Sequence, residues 1–302
     1  MKSYIAKNIV NILLYISLAF FVWYLYSLDY FILSELKINY YYLSLSLFLM
    51  FFGFFLTAVS WWFILKQHGI EIGIKKSIIS HGLYVFTKYI PGKVWVILGR
   101  AGAVSKYSGV SINELGVISL KEQFVYVIWG LIFGLVPVIV IFGFGLYAVI
   151  VVLTITGLLL LFFSKPIHRL GILILSKLFR KPIDIPYINL KTATKVSGFI
   201  ILYWLSWSVG FYFLLFSVFE DAPILSAFSF PLGVSFGVLV LFLPGGIGVR
   251  ESIITGFLVS IGVTLEMAIT ISVLQRLWFI CGEVFIFVLS LVLRSFKGSS
   301  PQ

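Results

Sequence analysis

Apolar runs of about 20 residues, the length an α-helix needs to cross a hydrocarbon core of roughly 30 Å, recur from one end of the chain to the other. They are separated by short polar clusters. The pattern predicts full spans at about 9–28, 40–65, 112–141, 145–164, 196–219 and 266–293. Two further apolar stretches, about 77–102 and 223–262, are interrupted. The first contains YIPGKVWVILGR (89–100) and the second FLPGGIGVRES (242–252). Proline lacks a backbone N–H and glycine lacks a Cβ, so a helix is expected to break at each. Each stretch should then be a re-entrant loop or a pair of short helices that leaves on the side where it entered.

Of the 302 residues, 61% are hydrophobic and 11% charged, which leaves no segment for a sizeable soluble domain. The fold class is therefore all-α: a polytopic integral membrane protein forming a single transmembrane domain over 1–302. The first run, 9–28, is longer than a signal-peptide core and lacks a small-residue cleavage site, so it reads as a retained helix. A single cysteine, Cys281, excludes an intrachain disulfide, and His68, His81 and His168 have no metal-binding spacing. No metal or cofactor is expected.

The net charge of +11 would fit nucleic acid in a soluble chain, but here its distribution points to topology instead. Eighteen of the 22 cations fall in four clusters: Lys2 and Lys7, seven from Lys66 to Lys106, seven from Lys165 to Lys195, and Arg294 with Lys297. Placing these inside puts both termini in the cytoplasm of a cell-membrane protein, with Asp29/Glu35 and Glu220/Asp221 outside. The first broken stretch then opens to the cytoplasm and the second to the outer face. Residues 165–181 mix Leu and Ile with Arg169, Lys177, Arg180 and Lys181, as an amphipathic helix on the inner leaflet would; a basic loop that only sets topology is the alternative.

Sliding the chain by 153 residues aligns YIPGKVWV with FLPGGIGV and GVSINELGVISLKEQ (109–123) with GVTLEMAITISVLQR (262–276), with seven identities in 23 positions. The repeat units would be about 40–141 and 196–293, joined through a basic cytoplasmic linker at 165–195. Three full spans separate the two breaks, and an odd number inverts the second unit, the arrangement by which many secondary transporters build a central site.

The candidate chemistry lies at the breaks and in two spans. In PGGIGVRE, Pro244 should leave the amides of Gly245, Gly246 and Gly248 open, and with Arg250 and Glu251 beside them they would suit an anion such as phosphate. The first break offers Lys93 and Arg100. The competing reading is that the glycines permit close helix packing while Arg250 and Glu251 cap a short helix. The last span holds Gln275, Arg276 and Glu283, with Arg276 near mid-membrane, where a charge needs a partner or a cavity. Glu251 or a bound ligand would serve. The equivalent span holds Lys121, Glu122 and Gln123, Glu122 aligning with Gln275. A structural salt-bridge network is the alternative to a headgroup conduit. The tryptophans are expected mostly at membrane interfaces.

KYIPGKVWVILGR and FLPGGIGVRE together resemble the membrane region of lysylphosphatidylglycerol synthases, a group with flippase-like members. The second motif is the more specific, through Pro244, Gly245, Gly246, Ile247, Gly248, Val249 and Glu251. The resemblance implies a polytopic helical fold with re-entrant elements and the flipping of lipids made on the cytoplasmic side. The chain departs from the synthases in lacking their soluble aminoacyl-transferring domain, so it is not expected to make lysyl-lipid itself. The leading expectation is a transporter or flippase for a lipid or lipid-linked glycan with an anionic headgroup. Its expected partners are membrane lipids and, in some relatives, a separate lipid or glycan synthase, with no nucleic acid. Glu122, Glu251 and Glu283 would compensate charge or carry a coupling proton, and no nucleotide-hydrolysis motif is present. The alternative is a membrane-embedded transferase, or an accessory subunit of one, acting on a lipid-phosphate-linked donor.

Overall fold

A computed structural model describes residues 37–90, 94–179, 189–240, 246 and 248–296. Among these the chain is helical throughout, with ten α-helices, two 3₁₀ turns and no strand. Five helices are long and apolar enough to span a membrane: α1 (Tyr40–Gln67), α4 (Ile112–Phe142), α5 (Leu146–Phe163), α7 (Leu190–Phe216) and α10 (Leu265–Ser295). All five correspond to expected spans, while the run at 9–28 lies outside the described residues. The protein is a multi-pass membrane protein. The largest shift from expectation is at α7, which starts six residues early. There Asn189 accepts from the Lys191 amide as N-cap, and Lys191 and Lys195 ride on the helix, as long basic side chains can at a membrane surface.

Both interrupted stretches are pairs of short helices. The first comprises α2 (Gly73–Gly82), a 3₁₀ turn (Val85–Tyr89) and α3 (Val94–Ser108). The second comprises a 3₁₀ turn (Ile224–Phe228), α8 (Ser229–Leu239) and α9 (Val249–Ser260). At 1.5 Å per residue none of these helices exceeds about 23 Å, so none crosses the core unaided. Contacts show that α8 and α9 run antiparallel, since Gly233 meets Ile254 and the Arg250 carbonyl while Gly237 meets Gly246 and the Arg250 Cβ. A Cβ on Gly246, whose φ is +73°, would lie 2.9 Å from the Gly237 Cα. Glycine is required there both for the turn and for the close approach. In the first pair Gly99 packs against the Tyr84 ring.

Adding 153 to the limits of α4 gives those of α10, each 31 residues long. The preceding glycines, Gly109 and Gly262, both have positive φ, and the N-caps, Ser111 and Thr264, both accept from the amide three residues on. Helices α1 and α7 pack antiparallel: Ser46 Oγ donates to the Gly210 carbonyl at 2.6 Å, Ser206 Oγ to that of Leu49 at 2.7 Å, and Lys195 reaches Gln67 at the far end. A side chain at Gly53 would collide with the Trp207 indole. Small residues and hydroxyl-to-carbonyl bonds are how helices approach closely where water offers no hydrophobic drive.

The tryptophans depart from the interfacial expectation. Trp61, Trp204, Trp207 and Trp278 are buried, and the last three share one aromatic cluster with Phe54, Phe211, Phe230 and Phe279. Their N–H groups account for part of this, Trp207 donating to the Met50 carbonyl and Trp204 to that of Tyr126. Residues 165–179 form the two-faced helix α6 rather than a loop, with Leu170, Leu173 and Ile174 exposed.

Candidate functional site

Between the two helix pairs lies a cavity of about 470 Å³, walled by α1, α2 and the 3₁₀ turn that follows it, α3, α4, α7, α8, α9 and α10. Aromatic and aliphatic side chains make up most of its surface, among them Phe54, Tyr126, Tyr203, Trp207 and Phe279. Four cations reach it: Lys88, Arg100, Arg250 and Arg276. A charge in such surroundings is costly unless paired and hydrogen-bonded, so its partners show how the site is balanced.

Arg100, on α3, pairs with Glu122 on α4, Nη1 to Oε2 at 2.8 Å. The same guanidinium donates to the Ser119 hydroxyl at 2.5 Å and carbonyl at 3.0 Å and lies over the Trp61 ring. Glu122 also accepts from Ser60 Oγ at 2.8 Å. Lys88, projecting from the 3₁₀ turn, pairs with Glu283 on α10, which also accepts from the Tyr89 hydroxyl at 2.8 Å. Arg276 pairs with Glu251 at 3.4 Å. Glu251 in turn accepts from the Gly248 amide at 2.7 Å, closing a cap at the start of α9.

Arg250 is different. It is 4% exposed and stacks over Phe230 and Phe279, and its Nε donates to Gln275 Oε1 at 3.1 Å. Among the described residues no carboxylate lies within ion-pair distance of it, and its Nη2 and the Gln275 Nε2 have no hydrogen-bond partner. Counting His81 as a neutral imidazole bonded to Thr57 Oγ1 at 3.0 Å, the cluster holds four cations against three carboxylates among the described residues.

Of the residues expected from sequence, Arg100, Glu122, Gln123, Arg250, Arg276 and Glu283 line the cavity, with Gln275 and Glu251 directly behind. Arg276 has the partner expected of it. Arg100 is engaged by Glu122 and does not stand open. The expected open amide of Gly248 is occupied by Glu251, and Gly246 serves close packing, so these two glycines act here as the packing alternative describes. Lys121 is partly exposed and does not contribute to the wall. Lys93, Pro244 and Gly245 lie outside the described residues. Sequence reasoning missed Lys88, Tyr89 and His81. The only signal for Lys88 is its place three residues before Pro91 in an apolar segment, where a cation has no reason to sit unless it is paired.

The family described as Lysylphosphatidylglycerol synthase TM region matches residues 8–281. No curated protein and no solved structure matches the chain. With nearly the whole chain matched, and with four of the five described membrane helices, the first half of α10 and both Pro-Gly breaks inside the matched region, the protein belongs to the family of lysylphosphatidylglycerol synthase transmembrane regions.

Proposed function

We propose that the protein moves a lipid or lipid-linked glycan with an anionic headgroup between leaflets, the headgroup passing through the central cavity while the chains stay in the bilayer. The observation that carries this is a greasy cavity with a surplus cation, Arg250, whose guanidinium is buried and lacks an acidic partner among the described residues. A buried donor of this kind needs an acceptor, and a headgroup oxygen supplies one.

In this reading the units 40–141 and 196–293 are an inverted repeat and the helix pairs are re-entrant, one facing the cytoplasm and one the outer surface of the cell membrane. The coincidence of α4 and α10 under one shift supports this, as does the antiparallel packing of α1 and α7. Access alternates as the pairs open in turn. Lys88–Glu283 joins the first pair to the last helix, so it is the link that must loosen, whereas Arg100–Glu122 and Glu251–Arg276 each stay within a unit.

The transferase alternative needs a carboxylate at liberty to act as base. Glu122, Glu251 and Glu283 are each tied to a cation and to a second donor, which favours transport. The test is leaflet exchange of labelled anionic lipids in liposomes containing the purified chain. Arg250→Ala should slow exchange roughly tenfold or more, the worth of a hydrogen bond to a charged group. Glu251→Gln should slow it less, because Gln keeps the cap. Wild-type rates in Arg250→Ala would defeat the reading, and product formation without exchange would favour the transferase.

A further inference from the structure

The two helix pairs use the same device with opposite charge outcomes. In each, an arginine on the second short helix reaches back to the long helix that follows: Arg100 to Glu122, and Arg250 to Gln275. The arginines are not equivalent in sequence, since Arg100 shifted by 153 falls on Ile253, but the residues they reach are. Glu122 shifted by 153 is Gln275. The first site is neutralised by its own carboxylate. In the second an amide takes the carboxylate's place and orients the guanidinium without cancelling its charge.

We infer that Gln275 sets the charge specificity of the cavity, leaving one uncompensated cation and so selecting a singly charged phosphodiester headgroup over a phosphomonoester or diphosphate. This rests on the cavity proposed above for transport. The geometry supplies both halves of the argument. Arg250 and Gln275 are buried at 4% and 0% exposure, and each keeps one nitrogen without a partner among the described residues; Arg250 lines the cavity with Gln275 directly behind it, so the guanidinium is the donor left for a ligand oxygen. Every other cation on the wall among the described residues is already matched, so a second negative charge brought into this apolar space would find no counterpart among them. The packing of Arg250 over the Phe230 and Phe279 rings helps to hold its position.

Two exchanges test this. Gln275→Glu recreates at Arg250 the pair that Arg100 already has. Glu122→Gln combined with Gln275→Glu conserves total charge but moves the open cation to Arg100. Binding to the full chain in detergent is measured by native mass spectrometry with three probes: phosphatidylglycerol, phosphatidic acid at pH 8, and the water-soluble diester glycerophosphoglycerol. Wild type should retain phosphatidylglycerol over both others. Gln275→Glu should weaken that retention roughly tenfold or more, and the double exchange should recover a measurable part of it. Thermal unfolding establishes that each variant is folded. If Gln275→Glu does not fold, Arg250→Gln removes the same charge and must show the same loss.

Preference of the wild type for phosphatidic acid would overturn the inference, as would a folded Gln275→Glu that binds like wild type. Equal binding of the soluble diester would overturn the lipid as its source. Leaflet exchange is measured separately. Selective binding without exchange would defeat the transport reading alone, and exchange that ignores headgroup charge would defeat this inference alone.

Discussion

The Lys88–Glu283 pair makes an asymmetric prediction. The Glu283 side chain has no exposed surface, whereas that of Lys88 keeps 26% of its surface open. Lys88→Met therefore strands a buried carboxylate to which the Tyr89 hydroxyl still donates at 2.8 Å. Removing one member of a buried pair costs about 3–5 kcal/mol. Glu283→Gln leaves an amide that still accepts from Tyr89 and a lysine that can turn to the cavity and the Phe279 face. That loss should be about 1–3 kcal/mol, nearer the cost of a charged hydrogen bond. The double variant removes both charges, so it should be more stable than Lys88→Met alone, with a coupling of order 2 kcal/mol. Unfolding in mixed micelles, followed by near-ultraviolet circular dichroism of the buried tryptophans, gives all three values. If Lys88→Met costs no more than Glu283→Gln, or the double variant is no better than Lys88→Met, the pair is not the buried charge couple described above.

Two glycine substitutions separate backbone demand from spare room. Gly246→Ala should destabilise by about 2–4 kcal/mol, combining left-handed strain with a clash against the Gly237 backbone, whereas Gly256→Ala, which meets nothing within 4 Å, should be neutral or slightly stabilising; thermal melts in detergent compare them. Gly82→Ala would place its Cβ 2.4 Å from the Ile286 carbonyl oxygen and 2.1 Å from Ser290 Oγ, so α2 must move off α10. A loss of about 1–3 kcal/mol is expected by the same measurement, along with faster amide exchange at Ile78, whose carbonyl accepts from Ser290.

How much of this could be read in advance follows from which forces are local. The long helices were legible because apolar length alone decides them, and α4 and α10 fell within two residues of expectation. The breaks were legible because proline and glycine act on their own backbone. That the stretches would be paired short helices, and not loops, was not legible: it depends on contacts such as Gly99 against Tyr84 in the first and Gly237 against Gly246 in the second, across gaps no local pattern encodes. The buried tryptophans were misjudged for the same reason, since an indole suits a membrane interface or a packed core and the choice is made by distant packing partners such as Phe230 and Phe279.

The site divides along the same line. Arg250, Arg276, Glu122 and Glu283 drew attention because a charge inside an apolar span is conspicuous, and the shift of 153 set Glu122 against Gln275 before any contact was known. Lys88 escaped because it belongs to a cluster of seven cations that topology explains without it. The positive-inside pattern assigns a cluster to a side of the membrane, but it does not say which members turn inward. That is decided by a partner 195 residues away, where Glu283 is wholly buried and would be uncompensated without a cation. The buried acid, not the lysine, is the informative residue: each carboxylate in an apolar span implies a cation in the same cavity, and the cation left over after matching among the described residues is Arg250, the one proposed above to meet a ligand.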